Sequence, residues 1–174
     1  MNVMAEPLSR KNIHDIAYHI REEFELEKEP YFPIVEFIEF VLMNPINGMN
    51  LEILSVDEME DTYGNMNTAR NTMQIREDVY IRAAIDHNPR DRFTLCHELG
   101  HFLLHQPEQI SHARGNVPPF RDPEWQANTF AAELMAPYEI IHDMSVSEIT
   151  SNCGMSYQAA EIQFNECHKG CEWT

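Results

Sequence analysis

The run RDRFTLCHELGHFLLH, from Arg90 to His105, constrains this chain most, because it sets two histidines four residues apart in a helical pattern. Each residue of an α-helix advances by about 100°, so His97 and His101 lie about 40° apart and can face one metal ion. Glu98 lies about 100° round from His97, where its carboxylate can reach a water on that metal without being a ligand. The pattern H-E-x-x-H therefore predicts two zinc ligands, His97 and His101, and one general base, Glu98.

The residues ahead of the histidines favour a helix that begins just before them. Asn88 is a good N-cap, Pro89 suits the first helical position, and Asp91 places a carboxylate where the helix dipole favours it. Three- and four-residue spacing also indicates a buried stripe beside the histidines. Its members are Phe93, Cys96, Gly100 and Leu103. The alternative interpretation is a helix that carries two surface histidines and no metal.

A later helix supplies the third candidate ligand. Asp122 and Pro123 predict its start, and Pro137 predicts its end. Its apolar stripe consists of Ala127, Phe130, Ala131 and Leu134. Glu124 lies within about 60° of this stripe, and a carboxylate at the edge of a core face needs a partner such as a metal. We therefore predict Glu124 as the third zinc ligand; the alternative is that its charge only favours the helix N-terminus.

Other polar residues of the same helix are predicted to have other surroundings. Glu133 falls about 180° from Glu124 and is predicted on the solvated face, and Gln126 is also rotated away. Asn128 lies one turn after Glu124, so its side chain is predicted to accept the free ring N–H of a liganding histidine.

The remaining histidines are not predicted to bind this metal. His97 and His105 would lie about 12 Å apart along one helix, too far for one ion, so His105 is predicted as a helix C-terminal residue. The isolated histidines are predicted to lie mostly on the surface. They are His14, His19, His87, His142 and His168. Cys167, His168 and Cys171 are an alternative set of ligands for a second metal.

Length and charge limit the class of protein. A chain of 174 residues is long enough for one sizeable core, so a single domain over residues 1–174 is predicted. Its formal charge of −17 opposes direct binding to nucleic acid or anionic lipid and attracts a basic protein partner. No apolar run approaches the roughly 20 residues of a membrane helix, and no signal region is visible. The prediction is a cytoplasmic protein with reduced cysteines.

Hydrophobic spacing predicts helices at both ends of the chain and a small antiparallel sheet of about three strands between them, which is an α+β fold. The N-terminal helices, within 9–43, are predicted at Ser9–Glu25 and from Pro33 to the Asn44-Pro45 break. The sheet and the two metal-site helices occupy 50–137, with strands at Leu51–Val56 and Asn71–Arg76 and a turn at Tyr63–Asn65. An exposed edge of this sheet near the metal would let an extended peptide pair with it.

Two further segments complete the predicted organisation. Residues 106–120 contain three prolines and no periodicity, which predicts a loop whose His112 and Arg114 either contact substrate or are solvated. Residues 138–170 are predicted as C-terminal helices, two of them flanking Cys153–Ser156. Their helix, glycine turn and helix are similar to a helix-turn-helix, but the acidic charge favours packing instead.

These motifs together resemble the ImmA/IrrE family of metallopeptidases. The resemblance lies in RDRFTLCHELGHFLLH and EWQANTFAAELMAP, and more loosely in IREDVYIRAA and VSEITSNCGMSYQAA. It implies a compact zincin-like α+β peptidase with a gluzincin-like site, encoded in bacteria or their mobile elements. Such family members cut a helix-turn-helix repressor and so switch on its genes.

The resemblance also implies specific residue roles. It implies about one zinc ion per chain on His97, His101 and Glu124, with Glu98 as the general base. The chain departs from the family pattern at Cys96, where alanine is common, and at Met135-Ala136-Pro137. Neither departure touches the chemistry.

Two functional hypotheses of different classes follow. The first is a zinc endopeptidase that acts on a transcriptional repressor, and the second is a non-proteolytic zinc-fold regulator that acts by contact, such as a toxin–antitoxin component. Intact Glu98 favours the first, because a protein that only binds its partner needs no general base. The residue that would stabilise the oxyanion stays open among Tyr80, His112, Arg114 and Tyr138. The oligomeric state also stays open.

Overall fold

The computed structural model describes residues 2–43, 48–113 and 115–169, and it has the predicted α+β composition. The strands are β1 (Asn2–Ala5), β2 (Asn50–Leu54), β3 (Gly64–Asn67), β4 (Thr72–Arg76) and β5 (Ile110–Ala113). The helices are α1 (Arg10–Glu23), α2 (Ile34–Phe37), α3 (Val56–Met59), α4 (Glu77–Ala84), α5 (Pro89–Leu104), α6 (Pro123–Met135), α7 (Tyr138–Ile141), α8 (Val146–Cys153) and α9 (Tyr157–His168). Within these residues, no helix combines the length and the apolar character needed to cross a membrane.

Helices α5 and α6 pack against each other at the centre of the fold. Gly100 of α5 permits a close crossing, because a Cβ atom there would lie 3.1 Å from the Ala127 Cα and 3.1 Å from the Phe130 Cδ1 of α6. Leu99 and Leu134 are fully buried in the core that the two helices share with their neighbours. The crossing fixes how far side chains on one helix lie from side chains on the other.

The three-stranded sheet differs from the predicted one in the direction of one strand. Strand β4 lies in the middle, with β2 parallel to it on one side and β3 antiparallel on the other. The prediction of an antiparallel sheet is wrong for β2, because the chain between β2 and β4 contains α3 and β3 and forms a crossover. The predicted turn at Tyr63–Asn65 is wrong in part, since Gly64 begins β3.

A second sheet, of two strands, was not predicted. Strands β1 and β5 pair antiparallel, with Val3 opposite His112. Strand β5 lies inside residues 106–120, which were predicted as a loop. Each strand has only four residues, too few for alternation to identify, and the pairing joins distant parts of the chain.

The helical regions at both ends are present as predicted, with one change in length. Ser9 caps α1 by accepting the main-chain N–H of Asn12. Helix α2 is shorter than predicted and continues as a π-helical turn over Ile38–Leu42, while the Asn44-Pro45 break lies outside the described residues. Helices α8 and α9 are joined at Gly154, and the buried Arg92 of α5 donates to the Gly154 carbonyl oxygen at 2.8 Å. This pair is therefore packed against the domain.

Glu133 has surroundings opposite to those predicted. It is fully buried, with Arg10 Nη2 2.6 Å from its Oε1 and His14 Nδ1 2.9 Å from its Oε2. The prediction of a solvated face is wrong, because α1 covers that face of α6 and contributes both partners. His14 also contacts Glu139 Oε1, through Nε2 at 3.1 Å. We call Arg10, His14, Glu133 and Glu139 the ionic cluster.

Four of the five isolated histidines lie on the surface, as predicted, and one does not. His14 is buried, for the reason just given. The exposed ones are His19, His87, His142 and His168.

Candidate active site

Two histidines of α5 face the same point in the cleft between α5 and α6. Asn88 caps α5, where its Oδ1 accepts the main-chain N–H groups of Arg90 and Asp91 at 3.1 and 3.3 Å. The helix therefore begins where the sequence predicts. His97 and His101 lie one turn apart, and their Nε2 atoms are 3.0 Å from each other.

Glu124 brings a carboxylate from α6 to the same point. Asp122 Oδ1 accepts the main-chain N–H of Glu124 at 3.0 Å and fixes the first turn. Glu124 Oε2 lies 3.3 Å from His97 Nε2, and its Oε1 lies 3.3 Å from His101 Nε2. The neighbouring rings of His101 and His97 hold the pKa of Glu124 well below its usual range. The side chain is 67% exposed, so it lies at the open side of the cleft and not at the edge of a core face as predicted.

The three atoms have the spacing that a metal ion needs. Among the described residues, His97, His101 and Glu124 form the one group of potential ligands whose atoms all lie within 4.8 Å of one another. Zinc bonds of about 2.0–2.1 Å in a tetrahedron place neighbouring ligand atoms about 3.3 Å apart. The Nε2 atoms of His97 and His101 are 3.0 Å apart, and each lies 3.3 Å from one oxygen of Glu124, which is close to this spacing. The donor set fits zinc, and we call these three residues the candidate metal cluster.

Glu98 lies beside the candidate metal cluster but is not part of it. Its side chain is buried, and burial raises the pKa of its carboxylate, an effect that a main-chain hydrogen bond from Met66 opposes. A Cβ atom at Gly64 would lie 2.9 Å from Glu98 Cγ and 3.0 Å from Oε1, so glycine lets β3 lie this close. A carboxylate with a raised pKa beside a metal site is suited to accept a proton.

Each histidine of the candidate metal cluster has a partner for its other ring nitrogen. His97 Nδ1 lies 3.0 Å from Asn128 Oδ1, the contact expected for Asn128. His101 Nδ1 lies 2.9 Å from His105 Nδ1, and His105 Nε2 lies 2.9 Å from Gln126 Oε1. His105 is the C-cap of α5, as predicted, and burial lowers its pKa to about 4, so the ring is neutral. Neither its contact nor that of Gln126 was predicted, because both residues were considered only as ligands.

Open space surrounds the candidate metal cluster. A cavity of about 360 Å³ is lined by the cluster, Glu98 and residues 64–66 of β3. A cavity of about 720 Å³ lies on the His101 side and has an apolar wall made of Val3, Met66, Ile110 and Val117. A cavity of about 250 Å³ on the His97 side is lined by residues that include Tyr63 and Phe93. An extended peptide therefore has room along β3.

The other predicted candidates are not brought to this site. Tyr80 donates its hydroxyl hydrogen to Glu39, and neither Tyr80, His112 nor Tyr138 lines the three cavities. Arg114 and Cys171 lie outside the described residues. In the part of the chain that is described, Cys167 and His168 belong to no group with metal-ligand spacing.

Comparison with known proteins gives one match. The family model Peptidase_M78, described as the IrrE N-terminal-like domain, matches residues 51–165, a range that contains α5, α6 and β3. No curated protein and no solved structure matches the chain. The matched range is more than half of the chain and agrees with the resemblance to the ImmA/IrrE peptidases. The chain belongs to the Peptidase_M78 family of proteins with an IrrE N-terminal-like domain.

Proposed function

We propose that this chain is a zinc-dependent endopeptidase that cleaves a helix-turn-helix repressor and thereby derepresses its genes. The observation that carries the proposal is the position of Glu98, whose buried carboxylate opens on the same cavity as the three ligand atoms without joining them. Hydrolysis needs this division between ligands and base, whereas a metal site that only stabilises a fold has no use for a base.

The residues of the candidate active site would have two separate roles in peptide hydrolysis, metal binding and proton transfer. His97, His101 and Glu124 would hold zinc, which when bound acidifies a water and polarises the peptide carbonyl. Glu98 accepts the proton of the attacking water and can then pass it to the leaving amine. Strand β3 packs closely against Glu98 at Gly64, so this strand helps to hold the base in place.

The position of the sheet edge favours a protein substrate that binds in an extended conformation. Strand β3 pairs with β4 on one side, and its residues 64–66 line the cavity with the candidate metal cluster on the other. A peptide could add to this edge through main-chain hydrogen bonds and present its carbonyl to the site. The edge nearest the candidate metal cluster is thus β3.

The choice of repressor as substrate rests on family and charge. Repressors bind DNA through basic surfaces, and a chain with a formal charge of −17 attracts such surfaces. The same charge opposes direct binding of this chain to nucleic acid. The cytoplasm, where a bacterial repressor acts, is the proposed location.

The test uses the purified chain with one equivalent of Zn²⁺ and the repressor encoded beside its gene. We expect mass spectrometry to find two repressor fragments from one internal cut, and we expect a chelator to prevent the cut. An intact repressor together with relief of repression in cells would contradict proteolysis. That outcome would favour the regulator that acts by contact.

A further inference from the structure

A line of hydrogen bonds runs from the candidate metal cluster into the core. It passes from His101 Nδ1 to His105 Nδ1 at 2.9 Å and from His105 Nε2 to Gln126 Oε1 at 2.9 Å. It ends where Gln126 Nε2 donates to the carbonyl oxygens of Glu6 and Phe120, both at 2.8 Å. His105 is 3% exposed and Gln126 is fully buried, so the line is shielded from water beyond its first member.

The far end of this line sets the direction of its hydrogen bonds. Main-chain carbonyl oxygens only accept, so they orient the Gln126 amide with its NH₂ group toward Glu6 and Phe120. The Gln126 oxygen then faces His105, and an oxygen of this kind only accepts as well. His105 Nε2 therefore carries the hydrogen, and in the neutral ring Nδ1 is left as an acceptor.

At the end nearest the candidate metal cluster, metal binding by His101 requires the same direction of hydrogen bonding. If His105 donated to His101 Nδ1, the neutral His101 ring would carry its hydrogen on Nε2, which faces His97 and Glu124 and could not then bind a metal. If His101 donates instead, its Nε2 presents a lone pair to the candidate metal cluster. The two ends of the line agree on one arrangement.

We propose that His105 and Gln126 are positioning residues that hold His101 in the tautomer with a free Nε2 lone pair. The carbonyl oxygens of Glu6 and Phe120 fix the orientation of the Gln126 amide, and through His105 this orientation selects the tautomer of His101. His97 has a different arrangement, because Asn128, which orients its ring, is exposed. The inference rests on the metal site of the proposed function but not on proteolysis or on the repressor.

The first experiment reads the tautomer in the unaltered chain. Long-range ¹H–¹⁵N correlation spectra of the metal-free protein distinguish a ring protonated on Nδ1 from one protonated on Nε2. We expect His101 to be protonated on Nδ1 and His105 on Nε2. The reverse assignment at either ring would overturn the proposal, and no variant has to fold for this result.

The second experiment measures Zn²⁺ affinity by competition with a chelator, with no substrate present. His105→Phe keeps a ring but removes the acceptor, and we expect roughly 10–100-fold weaker binding, the usual cost of losing a partner that orients a ligand. His105→Asn places an amide oxygen near the position of Nδ1, and we expect it to recover part of the affinity. His19→Phe, on the exposed face of α1, is the matched control and should bind as the unaltered chain does.

The outcomes separate this inference from the proposed function. Unaltered Zn²⁺ affinity in a folded His105→Phe protein would overturn the positioning role even if the chain cleaves its repressor. If that variant is unfolded by circular dichroism, the spectra of the unaltered chain and the His105→Asn affinity decide. A repressor that is never cleaved leaves the expected tautomer and affinities as they are.

Discussion

Helix α6 carries a glutamate near each end, histidines of neighbouring helices face both glutamates, and the two clusters differ in where their cations come from. In the ionic cluster, Glu133 is fully buried and lies between Arg10 and His14, so the protein supplies its own positive charges. In the candidate metal cluster, Glu124 is 67% exposed, and no lysine or arginine of the described residues pairs with it. Similar side chains thus make a closed ionic contact in one place and an open group of potential metal ligands in the other.

The difference lies in how the histidines are used. Both ring nitrogens of His14 face carboxylates, Glu133 at 2.9 Å and Glu139 at 3.1 Å, which favours the charged ring. His97 and His101 instead turn one nitrogen each to Asn128 and His105, and turn the other nitrogen toward Glu124. A neutral imidazole with one nitrogen engaged is the form that binds metal.

The largest effect is expected from a variant that removes the proposed general base but leaves zinc binding unchanged. Glu98→Gln keeps the shape of the side chain but loses the basic oxygen, so cleavage of the repressor should fall by about 10²–10⁴-fold. Zinc content by metal analysis should stay unchanged. Glu161→Gln, exposed on α9, is the matched control. Full cleavage by Glu98→Gln would remove Glu98 as the base.

The next effect tests whether only one cluster binds metal. Glu124→Ala removes one of three ligands, so we expect Zn²⁺ affinity to fall by more than the roughly 10–100-fold typical of a partner that merely orients a ligand. Equilibrium dialysis with Zn²⁺ measures this. Full affinity in Glu124→Ala would transfer the third ligand to another residue.

The reciprocal change should affect folding and not metal. Glu133→Ala leaves Arg10 and His14 facing each other without their carboxylate, and breaking a buried ion pair in this way costs about 3–5 kcal/mol. Urea unfolding followed by circular dichroism gives the free energy of unfolding. Zinc affinity of the folded variant should match that of the unaltered chain, and a loss of zinc alone would contradict the distinction between the clusters.

The charge on His14 predicts a dependence of stability on pH. Burial lowers the pKa of His14, but hydrogen bonds with Glu133 and Glu139 outweigh it and raise the pKa from 6.5 to about 9. The protonated ring therefore stabilises the fold fully below pH 6.5, and this contribution is lost as pH rises through about 9. Urea unfolding across that range should lose on the order of 2 kcal/mol. His14→Gln should flatten the curve, and an unchanged slope would mean that another group titrates.

The smallest expected effect concerns the contact between β3 and the base. Gly64→Ala places a Cβ atom 2.9 Å from Glu98 Cγ, so the carboxylate must shift by a fraction of an ångström. Cleavage should fall roughly tenfold, less than the 10² that a 1 Å displacement can cost. Zinc affinity should not change, and steady-state kinetics of repressor cleavage measures the loss. Unaltered kinetics would mean that β3 does not hold the base.

Residues whose placement depends on one helix could be predicted from the sequence, and residues whose placement depends on what packs against that helix could not. The angular step of a helix brings His97 and His101 together, and the caps at Asn88 and Asp122 set the helix starts. The same step puts Glu133 opposite Glu124, but the step does not reveal that α1 covers that face.

Contacts between distant segments escaped prediction for a related reason. Alternation shows which residues share a face of a strand, but not which strand pairs with it, so it predicts neither the pairing of β1 with β5 nor the parallel pairing of β2 with β4. Gln126 reaches the carbonyl oxygen of Glu6, which only the folded chain brings near. Gly64 is a further case, since the need for glycine arises from Glu98 on another element.

Gly100 lets α5 and α6 cross closely, and this crossing brings potential metal ligands of both helices together. The candidate metal cluster takes two ligands from α5 and one from α6, so a bound ion would join the two helices that form the centre of the fold. An ion that binds only the folded chain stabilises it by about 2.7 kcal/mol when its free concentration is 100 times the dissociation constant. The free energy of unfolding of this protein would then rise and fall with the free concentration of the metal.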